Sequence, residues 1–498
     1  MRPAAFARIA APLLVLGLLH GCLLGPNYER PKVAVPDTYR FPYANAADVA
    51  NTTWWKQFQD PVLNDLVKTA LANNLNVKQA TARVDEFLGQ FVSTRSALFP
   101  QASVGFGASR QRASQDGPTP IPAGVSPVFN EFQPSLSAFW NIDLFGQVRR
   151  ETEAARANVN AAEQSRRATI LTLVSSVATS YITLRSLDAQ LEIAQSTLVS
   201  RADSVHVFTL RRQFGQTSEM ELAQSESDYE ATAATIPQLE QQIAQQEDAL
   251  SVLLGSNPEP ILRGRALADL ATPDVPAGMP SDLLDRRPDL LQAEQNLVAQ
   301  NALIGAARAL YFPQISLTGL FGSVSTQFSN LFTGPARVWS FAGSATLPIF
   351  TGGNIYGQNK QADARQQEAL FAYENAIQVA FQQVDDALIA VQKSREQVAI
   401  QSRQVDSLRT YLRLARLRYE GGYTSYLEVL DAERNLFSAE LQFTQTQAAT
   451  LTTLVSLYMA MGGGWVVEAE RMSVPAPAPG QAQAAQPAAS QPAAQVPQ

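Results

Sequence analysis

The chain has 498 residues, 17% of them charged, a net charge of −7 and a mean hydropathy of −0.10. That length fills two or three ordinary domains; the acidic balance argues against a basic surface for nucleic acid, and no stretch reads as a membrane-length apolar helix. One cysteine, and two histidines at His20 and His206, are too few for a disulfide framework, a His/Cys metal site or a Ser-His or Cys-His catalytic set, so no catalytic residue, no metal and no enzyme activity is expected.

In chain order, Arg2 and Arg8 precede an apolar run over 9–19. At about 11 residues it is too short for a bilayer and suits the core of an export signal. It ends in Leu19-His20-Gly21-Cys22, which resembles the lipobox of bacterial lipoproteins. The resemblance implies a signal peptide over 1–21 and a mature chain whose first residue, Cys22, carries a diacylglycerol and an N-acyl (palmitate) chain. Leu23 stands where an Asp tends to retain lipoproteins at the inner membrane, so the implied destination is outer-membrane lipid. Residues 22–60 contain GPNYERPKVAVPDTYRFPYA, rich in proline and without helical period, expected as an extended, lipidated tether.

Asp60-Pro61 is a helix start signal, followed by Leu63, Leu66, Leu71, Leu75 and Val84 on one helix. Segments 101–109 and 134–144 then alternate with a period of two, Leu136, Ala138, Trp140 and Ile142 against Ser135, Ser137, Phe139 and Asn141. A long arm over 146–214 comes next, with seam residues such as Ile170, Val174, Val177, Tyr181 and Leu184, then a turn and a return helix ending at Leu254-Gly255.

After a linker at 256–280 the order repeats. A helix opens near Asp282 in DLLDRRPDLLQAEQNL, strands come after it at 314–324 and 338–347, and an arm at 353–419 carries Ile377, Phe381, Val384, Leu388, Val391 and Val405. About 67 residues of helix would reach roughly 100 Å, more than a compact domain needs. The arm ends in RYEGGYTSYLEVLDAER, where Gly421 and Gly422 tolerate positive φ and Thr424 or Ser425 can cap the next helix with Glu428 as capping-box partner. Thr217-Ser218 matches Thr424-Ser425, Glu221 matches Glu428, and Leu254-Gly255 matches Met461-Gly462, each pair 207 positions apart; Phe-Pro-Gln recurs at 99–101 and 312–314. The chain thus reads as two tandem repeats, 61–255 and 281–462, each helix, two strands and a helical hairpin, before a C-terminal segment at 463–498 with a disordered Pro/Ala/Gln tail.

Alternation of small polar with apolar or aromatic residues fits a membrane barrel with a wet lumen, and fits a half-buried soluble sheet as well. The barrel is favoured because long helices leave no compact core for four strands to cover. Four strands cannot close a barrel, for which about eight is the minimum, so several chains must share one. Three would give twelve strands and two would give eight with little room inside. The expected fold is therefore a mixed α/β membrane protein with a homotrimeric barrel, though strand arithmetic leaves other copy numbers open.

The lipobox followed by GPNYERP, LLDRRPDLLQAEQNL over 283–297, the two Phe-Pro-Gln entries and the RYEGGYTSYLEVLDAER turn together resemble the TolC-like outer-membrane factors, in the lipoprotein (OprM/NodT) branch of the outer membrane efflux protein family. The resemblance implies a trimeric duct: a 12-stranded transmembrane β-barrel, a long α-helical periplasmic barrel with an equatorial collar, and a lower end closed by converging hairpin turns. It also implies two partners, a periplasmic adaptor (membrane fusion protein) and an inner-membrane RND-type transporter, and a role in multidrug efflux from a Gram-negative cell.

Leu427 and Asp431 lie four apart on the second return helix with Glu428 beside them. By resemblance they form apolar and acidic rings at a periplasmic gate, with Tyr419 bonding neighbouring hairpins and Glu221 the first-repeat counterpart. Asp431 is matched there by Gln224, so the first turn departs from the pattern. Read from the residues alone, Glu428 and Asp431 are ordinary capping and surface charges, and Arg418 is either a latch for an acid or a cation placed at a helix C-terminus. A heavy-metal or type I secretion conduit on the same scaffold, and a purely structural periplasmic coiled-coil lipoprotein, are the alternatives; the latter leaves four amphipathic strands without purpose.

Overall fold

A computed structural model describes residues 23–36, 38–41, 53–114, 122, 124, 126–273, 275, 282–462, 466 and 469. Cys22, the signal segment and the tail from 470 onward lie outside the described residues, and with them the expectations of lipidation and disorder. Two compact units are each assembled from three stretches: Met1–Val35, Ala80–Arg166 and Pro288–Val379 in one, Pro36–Gln79, Arg167–Arg287 and Ala380–Gln498 in the other.

The elements keep the duplicated order. In the first repeat they are α1 (Pro61–Asn73), α2 (Leu75–Ser96), β1 (Gln101–Arg112), β2 (Val128–Ile142), α3 (Gln147–Gln213) and α4 (Glu219–Leu254). The second has α5 (Leu283–Arg286), α6 (Pro288–Ala309), β3 (Gln314–Ser323), β4 (Arg337–Thr346), α7 (Asn354–Glu420) and α8 (Tyr426–Ala460). Both arms, α3 and α7, are 67 residues long.

The single helix expected after Asp60-Pro61 is two. Asn74 ends α1 and begins α2: its Oδ1 accepts from the N–H groups of Asn76 (2.9 Å) and Val77 (3.2 Å), the local competition that makes Asn a helix breaker. Arg287 breaks the second repeat at the matching place, because Pro288 disfavours α geometry in the residue before it and suits the first position of a helix.

In the first unit the strands form one antiparallel sheet of order β1-β2-β3-β4. Register places Val104 opposite Leu136, Leu136 opposite Phe321 and Phe321 opposite Trp339, so these lie on one face together with Phe106, Leu317 and Phe341. The other face carries Ser103 bonded to Ser137 (3.0 Å) and Ser316 to Ser344 (2.8 Å). Phe129, Phe139, Leu320 and Val338 are apolar exceptions on it. The apolar face is bare: Val104 is 84% and Phe341 79% exposed. A half-buried soluble sheet would hide that face.

β2 begins at Val128, earlier than the expected 134, and Pro134 lies inside it. Phe132 exchanges both backbone bonds with Ser325 (2.9 and 3.1 Å), so the residue two further on, Pro134, faces the same neighbour without a donor. The β2–β3 ladder is interrupted there, while pairing with β1 runs through Phe106 opposite Pro134. β2 stops at Ile142, short of the expected 144, because Asp143 turns its carboxylate to the N–H of Arg149 (2.8 Å) at the start of α3.

In the second unit, Trp54 stacks on Tyr458 (5.2 Å) and meets Trp55 edge-on (5.8 Å) in a core with Ile170, Val174, Val177 and Leu184. Asp60 caps α1 by accepting from Val62 N (2.8 Å), and also accepts from the Tyr181 hydroxyl (2.7 Å) and Arg265 N (2.9 Å), so a buried carboxylate has every bond it needs. One correction concerns hydropathy: an 18-residue window within α3 is apolar enough to cross a membrane, yet 61% of it is buried in protein.

Both turns between arm and return helix use one glycine at positive φ, Gly215 and Gly422; Gly421 does not. The bare sheet face yields a direct test. Phe341→Arg at a position already this exposed would be nearly neutral in water, whereas on a lipid face it costs about 2–4 kcal/mol near the bilayer midplane. Loss of heat-resistant assembled protein from outer-membrane fractions is the expected result.

Candidate functional site: the hairpin tips

The expected gate residues all fall in the second unit, where the ends of α3, α4, α7 and α8 pack on Phe208, Leu222, Ala415, Tyr426, Val429 and Leu430. Tyr426, Val429 and Leu430 face this core, which leaves Leu427 and Asp431 together on the opposite, exposed side of α8, as their spacing requires. Asp431 accepts from the Tyr411 hydroxyl (3.3 Å) and Asn435 Nδ2 (3.1 Å), both neutral, so its charge is left uncompensated by its bonding partners. The Tyr411 phenol is pushed up, first by desolvation and then by that carboxylate.

Glu428 behaves differently. It pairs with Arg418 Nη1 at 3.0 Å and accepts from the Thr424 hydroxyl, so its charge is neutralised within its own hairpin. Arg418 makes this ion pair and also stands in the last turn of α7, where a cation suits the helix C-terminus. The capping box expected at this turn is incomplete: Ser425 occupies the cap position with extended backbone but makes no side-chain capping bond.

The complete capping box lies in the first turn. Ser218 Oγ accepts from Glu221 N (3.2 Å), while the Glu221 carboxylate accepts from Ser218 N (3.0 Å) and the Thr217 hydroxyl. These bonds, Thr217's first and the Ser218 N–H next, hold the Glu221 carboxyl below its ordinary value, with Arg211 adding a smaller pull. Its geometry is that of a cap.

Tyr419 joins the two hairpins. Its hydroxyl accepts from Arg211 Nη1 at 2.7 Å, and the guanidinium carbon stands 5.5 Å from the ring centroid. Burial raises the phenol, with Arg211 opposing. Arg211 lies 207 positions before Arg418, so the repeat register itself is the sequence signal for it.

The residues that sequence reasoning missed form the buried ties farther up. Asp228 on α4 binds Arg434 Nε of α8 at 2.6 Å and Arg201 Nε of α3 at 3.1 Å, close enough for an ion pair although the Arg201 N–H is off the hydrogen-bond line. Arg201 also donates to the Asp228 carbonyl (2.8 Å) and lies 5.3 Å from the Phe437 ring. Desolvation lowers the Arg201 pKa, opposed by Asp228 and Glu433. Glu433 binds Arg416 Nη2 at 2.7 Å, and that nitrogen reaches Ser200 of the other hairpin at 3.1 Å. A signal for Asp228 exists in the sequence: Leu222, Ser225, Asp228 and Thr232 make one buried stripe at helical spacing, with an acid in it. Among the described residues no group of His, Cys, Asp and Glu could hold a metal ion.

A sheet whose apolar face is largely exposed, carried with two long helical hairpins that end in charged, cross-tied turns, defines the class: a duct seated in an outer membrane. The family described as Outer membrane efflux protein matches residues 66–256 and 279–463. The probable efflux pump outer membrane protein SepC of Pseudomonas putida is 35% identical over 458 residues, covering 90% of this chain and 95% of that one. The cation efflux system protein CusC of Escherichia coli K12 is 36% identical over 458 residues, covering 91% and 98%. The crystal structure of the open state of the Neisseria gonorrhoeae MtrE outer membrane channel superposes with a TM-score of 0.80 at 33% identity, covering 89% of this chain and 99% of that one. The chain belongs to the outer membrane efflux protein family.

Two outcomes are expected at the tips. Asp228→Ala leaves buried Arg201 without its carboxylate and should destabilise the hairpins by about 3–5 kcal/mol in chemical unfolding; Asp431→Ala, on the exposed face, should stay within about 0.5 kcal/mol. Glu221 has a depressed folded pKa, so its contribution is present above the ordinary value of 4.5 and is lost as pH falls through the folded pKa. In Glu221→Gln the acid-side fall in thermal stability should be shallower than in the wild type.

Proposed function

We propose that three copies close their sheets into one 12-stranded barrel and their hairpins into one α-helical barrel, giving a passive outer-membrane duct of a tripartite efflux system. The observation that carries this reading is the four-stranded sheet with two unpaired edges and a bare apolar face. Edge β4 of one copy pairing with edge β1 of the next satisfies the backbone, and repeating it twice closes the ring. Anchorage by an acylated Cys22 accords with the sequence around it. An inner-membrane RND-type transporter supplies the energy and a periplasmic adaptor joins it to the hairpin tips; the duct needs no catalytic residue and no cofactor beyond the lipid. The cargo is drugs or other small molecules, chosen by the pump.

At the tip, Leu427 and Asp431 share the exposed face that symmetry would turn into an apolar and an acidic ring. Glu428, latched to Arg418, and Tyr419, held by Arg211, keep the turns in place. Glu221 contributes by fixing the first turn. Single-channel recording in planar bilayers tests the assignment. The resting conductance of the wild type is expected to be small; Glu428→Ala should raise it by freeing Arg418, and Asp431→Ala should chiefly weaken cation preference. Unchanged conductance and selectivity in the double variant would remove these residues from the gate.

A further inference from the structure

Charge is distributed unevenly over the sheet of the first unit. Its charged residues are Arg110 and Arg112 on β1, Glu131 on β2 and Arg337 on β4; β3 has none. Register sets Arg112 opposite Val128, Arg110 opposite Asn130 and Arg337 opposite Ser323, on the face that also holds Val104, Leu136, Phe321 and Trp339. All three arginines therefore lie on the bare apolar face, and all are exposed. Glu131, opposite Ser109 and 3.5 Å from Gln111 Nε2, lies on the other face. Among the described residues, no carboxylate of the sheet shares a face with the arginines.

Their height is as particular as their face. Gln101 and Gln314 follow helices, and Ile142 and Thr346 lead into helices, which leaves Arg112, Val128, Ser323 and Arg337 at the end of the sheet away from the helical arms. From Gln101 to Arg110 the rise at about 3.4 Å per residue and a tilt of about 40° is roughly 23 Å, close to the apolar band of about 25 Å of an outer-membrane barrel. The guanidiniums thus stand at the outer interface, where a cation on the lipid side is tolerated. On the helix side of them Trp339 and Phe341 of β4 stand 5.8 Å apart between ring centroids, and Phe106 and Val104 line β1; all four are exposed.

The two strands that bear the arginines are the edges of the sheet. When β4 of one copy pairs with β1 of the next, Arg337 comes to the same end of the same seam as Arg110 and Arg112. Charges on a free edge keep a sheet from aggregating, but once the edges are paired, like charges at one seam repel unless an anion stands among them. We propose that each seam binds a phosphate-bearing glycolipid of the outer leaflet. The guanidiniums take the headgroup phosphates through bidentate, charge-assisted hydrogen bonds, and the acyl chains lie along Trp339 and Phe341 of one copy and Phe106 of the next. A soluble phosphate would gain the first interaction and not the second. The gathering of three arginines at one seam rests on the trimeric closure proposed above; the row of arginines on the lipid side does not.

Native mass spectrometry of the full-length protein in detergent micelles reads the site, with lipid A carrying both its phosphates and the same lipid dephosphorylated as the two probes. The wild type is expected as a trimer that retains the phosphorylated lipid about tenfold or more tightly than the dephosphorylated one, and excess inorganic phosphate should displace little of it. The combined variant Arg110→Gln, Arg112→Gln and Arg337→Gln should bind the phosphorylated lipid no better than the dephosphorylated one while its mass still reports three copies. Equal retention of the two lipids by the wild type, full displacement by inorganic phosphate, or undiminished retention in the variant overturns the site. The first two outcomes need no variant, so a variant that fails to assemble does not shelter the proposal. A monomeric wild type overturns the closure and the seam with it, whereas a trimer without preference for the phosphorylated lipid overturns the lipid site alone.

Discussion

Backbone hydrogen bonding at the sheet edges is the constraint on which the molecule depends. In lipid each unpaired N–H or C=O costs several kcal/mol, and no water is present to relieve it. The sheet of this chain ends in two such edges, and its apolar face is the one a bilayer would cover. In water the same sheet would be an aggregation hazard on both counts. One chain is therefore an incomplete object in either solvent, and only pairing with copies of itself makes it complete.

Duplication supplies the parts, and the two copies have since diverged in how they use them. Glu221 and Glu428 occupy the same place in the repeat, yet the first completes a capping box while the second is drawn off by Arg418. The arginines likewise differ: Arg418 stays in its own hairpin, whereas Arg211 crosses to Tyr419. One set of residue types thus rigidifies the first turn and, in the second, ties turn to arm. The uncompensated acid, Asp431, occurs only in the second repeat; its counterpart is Gln224.

Much of this is legible in the sequence because the signals are long or repeated. A 67-residue arm declares itself through many seam positions, and the arms' bounds agree with the expected ones within a residue or so at each end. Alternation locates all four strands, although it puts Pro134 at a strand start: a proline inside a strand is tolerated only where the partner ladder can be interrupted, which no single-strand pattern reveals. The split at Asn74 escapes the sequence, since an Asn within an apolar-periodic run is ambiguous until its side chain is placed on the N–H groups of the second helix. At the tips, residues near the turns are legible and those deeper are not. Arg201, Asp228, Glu433 and Arg434 make ion pairs that span as many as 206 positions of sequence, and local spacing carries no record of which charges will meet. The acid in α4's buried stripe is the one available hint.

The buried and the exposed acids divide the physical work between them. A buried ion pair is seldom the most stable way to fill space; well-packed apolar side chains do as well or better. Two hairpins held by an apolar seam would therefore separate only at the cost of exposing that seam to water. With Asp228, Arg201 and Arg434 at the contact, separation breaks ion pairs but returns each charge to solvent, so the lost Coulomb attraction is largely offset by recovered hydration. The charges make the contact specific, while the apolar cluster of Phe208, Leu222, Tyr426, Val429 and Leu430 beside them would still be exposed by any separation. Asp431 cannot serve that purpose, because it already faces outward with two neutral donors. Burial thus commits Asp228 to the contact between the hairpins, whereas exposure leaves the Asp431 charge free of it.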